Sequence, residues 1–242
     1  PTREELHDVL VSRDGLTLNE LPIGAVVGTS SPRRSAKLLY IRPDLDVRPI
    51  RGNIDTRIAK VRSGEFDATV LAAAGLIRID RIQEATEQLG LDVLLPAPAQ
   101  GALAIECRSA DLDTIRILAS LDDPATRLTT TAERAVLMGI AATCSTAIGA
   151  IAEFADGHLT VRAELSGESG LAANPVEFER FEISAPLTAP VDDFRSLSEA
   201  HQLGMYAAQQ LLRTELGAKV ADQIARERAT ANHKQKSVAG NG

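Results

Sequence analysis

Two junctions between a predicted strand and a predicted helix constrain this chain more than any other feature of its sequence. They lie at residues 28–34 (GTSSPRR) and 51–57 (RGNIDTR). In the first, a serine can cap a helix whose first position is proline, and in the second an asparagine is the expected cap. Each junction also carries arginines beside a helix N-terminus, where unpaired N–H groups and the helix dipole favour anions. The two junctions therefore predict a site for a multiply charged carboxylate or phosphate.

The order of the predicted elements indicates an α/β fold. Strands are expected at residues 25–28, 46–51 and 67–73, with helices at 32–40 and 53–62 between them. A β-α-β-α-β order predicts parallel strands that bind ligands at their carboxyl ends. Both arginine junctions fall at that edge, and arginine suits carboxylates because its planar fork can bind both oxygens.

The rest of the chain adds a connector and a second set of elements. Residues 96–101 (PAPAQG) form a stiff connector. The elements predicted beyond it are, in chain order, a strand at 102–107, helices at 111–121 and 129–139, a loop at 141–149, strands at 158–165 and 176–184 with a bulge at Arg180, and a helix over 196–226 broken near Gly217. Residues 229–242 are polar and are expected to be disordered.

Charge is distributed unevenly along the chain. Residues 33–62 contain nine Lys/Arg against three acids, although the whole chain has a formal net charge of -7. The acidic total and an aromatic fraction of 3% argue against a nucleic-acid partner. No apolar run approaches the ~20 residues of a membrane span, and no signal-peptide pattern opens the chain. We therefore expect a cytoplasmic protein with no membrane partner.

Neither cysteine has the spacing of a disulfide framework or of a metal site, and no metal is expected. Cys107 falls on a predicted apolar strand and is expected to be an inert core residue. Cys144 lies on the loop of small residues, where its thiol is either an incidental surface group or a reactive one. Glu133 and Arg134, on the predicted helix at 129–139, are expected to form a surface pair.

Several short motifs, in their order and spacing, resemble those of one known family. They are, in chain order, residues 27–34 (VGTSSPRR), 51–53 (RGN) with Thr56 and Arg57, 74–76 (AGL) with Arg78, 96–102 (PAPAQGA), 105–108 (IECR), 131–135 (TAERA), and Cys144 followed by residues 148–149 (IG). On these residues, the chain resembles porphobilinogen deaminase, also called hydroxymethylbilane synthase. The resemblance implies a periplasmic-binding-protein-like parallel sheet domain and a smaller α+β C-terminal domain.

The resemblance also implies an activity and a cofactor. Family members are transferases that join four porphobilinogen molecules into the linear tetrapyrrole hydroxymethylbilane, with release of ammonia, in porphyrin and heme biosynthesis. They carry a dipyrromethane cofactor that is covalently attached through a thioether to the cysteine matched here by Cys144. The implied partner is the small-molecule substrate porphobilinogen, and a monomer is expected.

The resemblance assigns site residues position by position. The implied cofactor-binding residues are Cys144, Thr29, Ser31, Arg33, Arg34, Arg51 and Arg57. The implied substrate-binding residues are Arg51, Arg57, Arg78 and Gln100. The candidate catalytic residues are Arg33, Arg34 and Arg57.

The chain also departs from the family pattern. The family's catalytic aspartate lies in a His-Ser-x-Lys-Asp-x-Pro motif, which does not occur in this sequence. Thr143 and Ala147 stand where the family usually has Gly and Pro around the cysteine. We therefore expect a porphobilinogen deaminase that lacks most of its N-terminal domain. Residues 1–6 and 99–121 are expected to form part of a first α/β domain, and residues 7–98 a second α/β domain with the anion cleft. Residues 122–228 are expected to form a C-terminal α+β domain with the cysteine, followed by a tail at residues 229–242.

A second class of function stays open. Arginines at a helix start can form a solvated face, and a chain without the catalytic aspartate can bind anions without turning them over. The alternative is a non-catalytic binding module for carboxylated or phosphorylated anions. Modification of Cys144 separates the two readings.

Overall fold

The computed structural model describes residues 1–167 and 176–239, with side chains as far as Thr230. Five short strands form the first sheet: β1 (Asp8–Ser12), β2 (Val26–Gly28), β3 (Asp46–Arg48), β4 (Ala68–Ala72) and β5 (Glu87–Leu89). Their order in the sheet is β3-β2-β4-β1-β5. Strand β2 pairs in parallel with both β3 and β4, so three strands end at the same edge. The α/β class and the parallel strands expected from the sequence are thereby confirmed.

The sequence patterns do not predict β1, which changes what this edge contains. Strand β1 runs antiparallel to both β4 and β5. Asp8, its first residue, is in register with Ala72, the last residue of β4. The amino end of β1 therefore lies at the same edge as the carboxyl ends of β2 to β4. A fully buried carboxylate, that of Asp8, is thus placed beside the arginine junctions.

Three helices follow the parallel strands: α1 (Pro32–Ile41), α2 (Ile54–Arg62) and α3 (Ala73–Arg78). Both predicted caps are confirmed. Ser31 Oγ accepts a long hydrogen bond of 3.5 Å from the Arg34 amide, and Asn53 Oδ1 accepts one of 2.9 Å from the Thr56 amide. These caps satisfy amide groups that a helix start leaves unpaired, and so they fix where the arginine-bearing helices begin.

The first sheet is covered on both faces. Successive side chains of a strand point to opposite sides, so Leu10 of β1 packs in one cluster with Leu38 of α1. Val9 and Val11 pack in the opposite cluster, with Ile58 of α2 among their neighbours. All five residues of β1 are buried for this reason. The strand that positions Asp8 is therefore held from both sides.

The second part of the chain is an antiparallel sheet with long helices. Strands β6 (Ile148–Ala155), β7 (His158–Ser166) and β8 (Phe178–Pro186) pair in that order, and helices α5 (Pro124–Ile140), α6 (Phe194–Leu212) and α7 (Glu215–Ala239) pack with them. Small residues let α5 and α6 approach closely. A Cβ atom added at Gly204 of α6 would lie 2.1 Å from the carbonyl oxygen of Ala132 on α5. The helix α4 (Leu112–Ala119), which precedes them, has no buried residue.

Helix α1 links the two sheets. Lys37 Nζ on α1 donates to Glu164 Oε2 on β7 at 2.9 Å, and lies 4.2 Å from the ring centroid of Phe178 on β8. Arg180 Nη2 donates to the same Glu164 oxygen at 2.6 Å. The helix that begins at the first arginine junction is therefore fastened to the C-terminal sheet.

Two expectations about strands are wrong. Residues 102–107 form no strand, and Leu103, Ile105 and Cys107 are exposed, so Cys107 is not a core residue. A run of apolar residues becomes a strand only beside a partner strand, and no strand pairs with residues 102–107 within the part of the chain that the structure describes. The predicted bulge is also absent, because β7 and β8 pair without interruption and Arg180 is in register with Glu164. Its ion pair with Glu164 accounts for a charged residue there.

The C-terminal helices differ from the expectation at two places. The break between α6 and α7 lies at residues 213–214, just before the predicted position at Gly217. Residues 229–239, expected to be disordered, continue α7. Residues 240–242 of the expected tail lie outside the described residues.

Candidate functional site

A buried carboxylate lies at the centre of the candidate site. Asp8 accepts hydrogen bonds from Arg33 Nη1 at 2.7 Å and from Arg34 Nη2 at 2.6 Å. Gln100 Nε2, on the connector, lies 3.2 Å from Asp8 Oδ1 and 2.7 Å from the carbonyl oxygen of Leu6. Three of the predicted site residues, from α1 and from the connector, are therefore brought together by one aspartate.

The ion pairs determine the charge of this cluster. Burial alone would raise the pKa of Asp8, but the charges of Arg34 and Arg33 outweigh burial and hold that pKa below its usual range. Burial lowers the pKa of Arg33, which stays protonated because an arginine pKa lies far above neutrality. Asp8 is therefore ionised at neutral pH, and the cluster keeps a net positive charge.

Both arginines of α1 are engaged by the protein itself. Arg33 also donates to the carbonyl oxygen of Leu95, and Arg34 Nη1 donates to that of Val70 at 2.9 Å. Their side chains are only 6% and 12% exposed. Arg33 and Arg34 thus lie below the protein surface at this edge of the sheet, where their charges make the electrostatic potential positive.

The second junction is open to solvent. Arg51 is exposed, and Arg57 is half-buried with its Nε donating to the carbonyl oxygen of Gly52 at 2.9 Å. Among the described residues, neither Arg51 nor Arg57 forms an ion pair. Arg78 is exposed and ends α3, about 8 Å along the helix axis from the sheet edge. Arg51 and Arg57 are therefore the cations best placed to meet an anion from solvent.

Hydroxyl groups shape the first junction and tie it to the second. Thr29 is buried, and its Oγ1 accepts the Ser31 amide at 3.2 Å. Ser30 Oγ donates to the carbonyl oxygen of Ile50 at 2.8 Å, just before the second junction. The side chains of the predicted site residues Thr29 and Ser31 therefore bind backbone amides within the first junction, and Ser30 ties the two junctions together.

Cys144 is exposed on the loop between α5 and β6. Gly149, five residues later, lies against the arginine cluster, because a Cβ atom built there would be 3.3 Å from Arg33 Cδ. Five residues span at most about 18 Å. The cysteine loop therefore leads directly to the arginine-bearing edge of the first sheet.

Glu133 is a second buried carboxylate, and its expected surface pairing with Arg134 is wrong. Arg134 is exposed, whereas Glu133 is fully buried and binds Arg3 with both oxygens, at 2.6 and 3.0 Å. It also accepts the amides of Ala99 at 2.6 Å and Ala152 at 2.9 Å. Burial raises the pKa of Glu133, and the Arg3 hydrogen bonds act against that. This side chain joins the N-terminal segment, the connector and β6.

The fold and this edge define a class of protein: an α/β protein with an arginine cluster at the carboxyl ends of parallel strands and a cysteine loop leading to it. Within residues 1–167 and 176–239, no group of three His, Cys, Asp or Glu side chains is placed to hold a metal ion. No helix in the same residues is long and apolar enough to cross a membrane.

Comparison with known proteins shows what this chain is similar to. Residues 1–116 match the family model described as porphobilinogen deaminase, dipyromethane cofactor binding domain. The chain is also similar to curated proteins named porphobilinogen deaminase. Over 153 aligned residues, it is 55% identical to that of Mycobacterium tuberculosis (strain H37Rv), 56% identical to that of Mycolicibacterium gilvum, and 54% identical to that of Mycobacteroides abscessus. The aligned part covers 63% of this chain and 49% to 50% of each relative, so the chain spans about half their length. The resemblance to the porphobilinogen deaminase family is thereby confirmed.

Proposed function

We propose that this chain carries the cofactor-holding and anion-holding part of a hydroxymethylbilane synthase. The reaction would join four porphobilinogen units head to tail with release of ammonia, as the family resemblance implies. The observation that carries the proposal is the convergence of Arg33, Arg34 and Gln100 on Asp8, beside the open Arg51 and Arg57. Each pyrrole ring brings an acetate and a propionate, so a growing chain is a polyanion that needs such a surface.

The residues present fit a covalently attached dipyrromethane. Cys144 is exposed, and its loop leads to Gly149, beside Arg33. Attachment needs a carbon–sulfur bond: the C–N bond of an aminomethylpyrrole breaks, ammonia leaves, and the thiol gives up its proton. A soft thiolate is suited to this electrophilic methylene carbon. When bound, the dipyrromethane supplies the pyrrole end to which each new unit is joined.

Roles for the arginines follow from their exposure. Arg51 and Arg57 have guanidinium groups that can bind ligand carboxylates directly and orient them. Arg33 and Arg34 supply a fixed positive potential from below, and Asp8 keeps the two guanidiniums in place. We further propose that Arg78 and Gln100 line the far end and the connector side of the same cleft, and that Thr29 and Ser31 shape its floor.

Among the residues that the structure describes, Asp8 is the carboxylate shown to contact the arginine cluster, and it is not placed to replace the family's aspartate. Both oxygens of Asp8 are already held by guanidinium groups, so Asp8 is not free to face a cationic pyrrole nitrogen. An anion-binding module stays the second candidate function, which would bind pyrrole carboxylates without releasing ammonia. Loss of one preorganised electrostatic group commonly costs ~10²–10³ in rate.

Ammonia release from porphobilinogen tests the proposal. We expect little release from the chain alone, and turnover when it is extended with the N-terminal half of the Mycolicibacterium gilvum relative. A Cys144→Ser variant of the extended protein is the control and is expected to lose turnover. If the extended protein binds pyrrole carboxylates but releases no ammonia, the binding-module function is correct.

The division into domains, the location and the oligomeric state stay proposals. We propose a monomer in the cytoplasm, with the anion cleft in residues 7–98 and the cysteine in residues 122–228. Residues 1–6 and 99–121 are proposed to complete a first domain, which the absence of any buried residue in α4 supports. Sedimentation of the purified protein tests the monomer, and cell fractionation tests the location.

A further inference from the structure

The loop that carries Cys144 has few anchors of its own. It begins at Ala141, whose φ of 57° and ψ of 35° are left-handed. Its internal bonds join only Thr143, Ser145 and Thr146. The Thr143 amide donates to Thr146 Oγ1 at 2.9 Å, and the Thr146 amide donates to the carbonyl oxygen of Thr143 at 3.1 Å. Thr143 Oγ1 also lies 2.7 Å from Ser145 Oγ and 3.3 Å from Thr146 Oγ1. A short loop of small residues with so few contacts is expected to open locally at low cost.

A carboxylate on the C-terminal helix α7 supplies the missing anchor. Glu227 Oε2 accepts a hydrogen bond from Ser145 Oγ at 2.6 Å and another from Thr143 Oγ1 at 3.1 Å. These are the two residues on either side of Cys144. The pKa of Glu227 is lowered by the hydrogen bonds from Ser145, Gln223 and Thr143, so the carboxylate is ionised at neutral pH.

Helix α7 holds this carboxylate in a defined position. Val220 and Ile224 are one helical turn apart and buried in the C-terminal core, which fixes the rotation of the helix. Gln223 Nε2 donates to Glu227 Oε1 at 3.1 Å. Arg228, the next residue, donates from Nη2 to the carbonyl oxygen of Ala141 at 2.7 Å, where the loop starts. Two neighbouring residues of α7 therefore hold the start and the centre of the loop.

We propose that Glu227 is a positioning residue for Cys144. By holding the hydroxyl groups on both sides of the cysteine, it restricts where the sulfur can lie relative to the arginine cluster. The role in cofactor attachment rests on the proposed function. The role in holding the loop does not, because it follows from the contacts of Glu227 alone.

Two measurements on the full chain test the proposal together. Hydrogen–deuterium exchange reports opening of the loop through the bonded amides of Thr143 and Thr146. Peptide mass mapping of protein from cofactor-competent cells reports the fraction of Cys144 that carries added mass. The variants are Glu227→Ala, which removes the acceptor, and Glu227→Gln, which keeps one acceptor oxygen. Asp222→Ala is the matched control, because Asp222 is an exposed acid on the same helix.

We expect loop exchange on the order of tenfold faster in Glu227→Ala, a lower attached fraction, and partial rescue of both in Glu227→Gln. Asp222→Ala is expected to match the unmodified sequence. Two results would overturn the proposal. One is that the loop amides exchange at the same rate in Glu227→Ala as in Asp222→Ala. The other is that the loop exchanges faster in Glu227→Ala while the fraction of Cys144 that carries added mass does not fall. If the unmodified sequence itself carries no added mass, the proposed function is contradicted, and the exchange comparison alone then decides whether Glu227 holds the loop.

Discussion

Replacing Asp8 with Asn tests whether one carboxylate organises the arginine cluster. Asp8 is 0% exposed and holds Arg33 and Arg34, which are 6% and 12% exposed at their side chains. Removing one partner of a buried ion pair costs about 3–5 kcal/mol, because the remaining charge is left uncompensated. Asn keeps one oxygen that can accept from a guanidinium, so we expect a loss within this range even though two arginines are affected.

Urea denaturation at neutral pH measures this loss, with Asp46→Asn as the matched control. Asp46 pairs with Arg48 at the surface, where side chains are 42% and 58% exposed, and an exposed pair contributes at most about 1 kcal/mol. The pKa of Asp8 is lower in the folded state than in the unfolded state. The stability that its ionised carboxylate contributes is therefore full above the unfolded pKa of about 3.9, and is lost as the pH falls through the folded pKa. The difference between the original chain and Asp8→Asn should therefore shrink in acid. Equal losses in Asp8→Asn and Asp46→Asn, or a difference that grows as pH falls, would refute this reasoning.

Two further predictions concern ligand binding and packing. Arg57→Leu should weaken binding of a dicarboxylated pyrrole, measured by calorimetry, by about 2–5 kcal/mol, the cost of losing a desolvated charge pair with a ligand carboxylate. Arg62→Leu is the control. It should change the binding free energy by less than about 1 kcal/mol, because Arg62 already forms an exposed ion pair. Equal effects would place the cleft elsewhere. Gly204→Ala should lower the free energy of unfolding by about 1–3 kcal/mol, because the added methyl group would lie 2.1 Å from a backbone oxygen of α5. Thermal unfolding checks this, with the exposed Met138→Ala expected to change stability by about 0.5 kcal/mol or less.

Local signals in the sequence predicted the two junctions correctly. A serine before proline and an asparagine before an apolar helix face act within one turn, so the starts of α1 and α2 follow from neighbours in the chain. The β-α-β-α-β order likewise predicts parallel pairing. The arginines therefore lie at the expected sheet edge.

Long-range pairing accounts for what the sequence did not reveal. Asp8 reaches the arginines because β1 runs antiparallel beside β4, and no local pattern specifies that partner. A signal was present, since the apolar run at residues 9–11 is consistent with a buried strand, next to which Asp8 lies. Glu133 was assigned to the surface because Arg134 follows it, yet successive helical residues point in different directions. Glu227 lies 83 residues after Cys144 in the chain, and only the packing of α7 brings them together.

The proposed function depends above all on the attachment of a dipyrromethane to Cys144. An intact mass of the protein, purified from cofactor-competent cells and followed by peptide mapping, tests it most directly. We predict added mass equal to two linked pyrroles on the peptide that contains Cys144, and an unmodified peptide containing Cys107, which is also exposed and serves as an internal control. An intact mass equal to that of the sequence, or the same modification on both cysteines, would contradict the proposal.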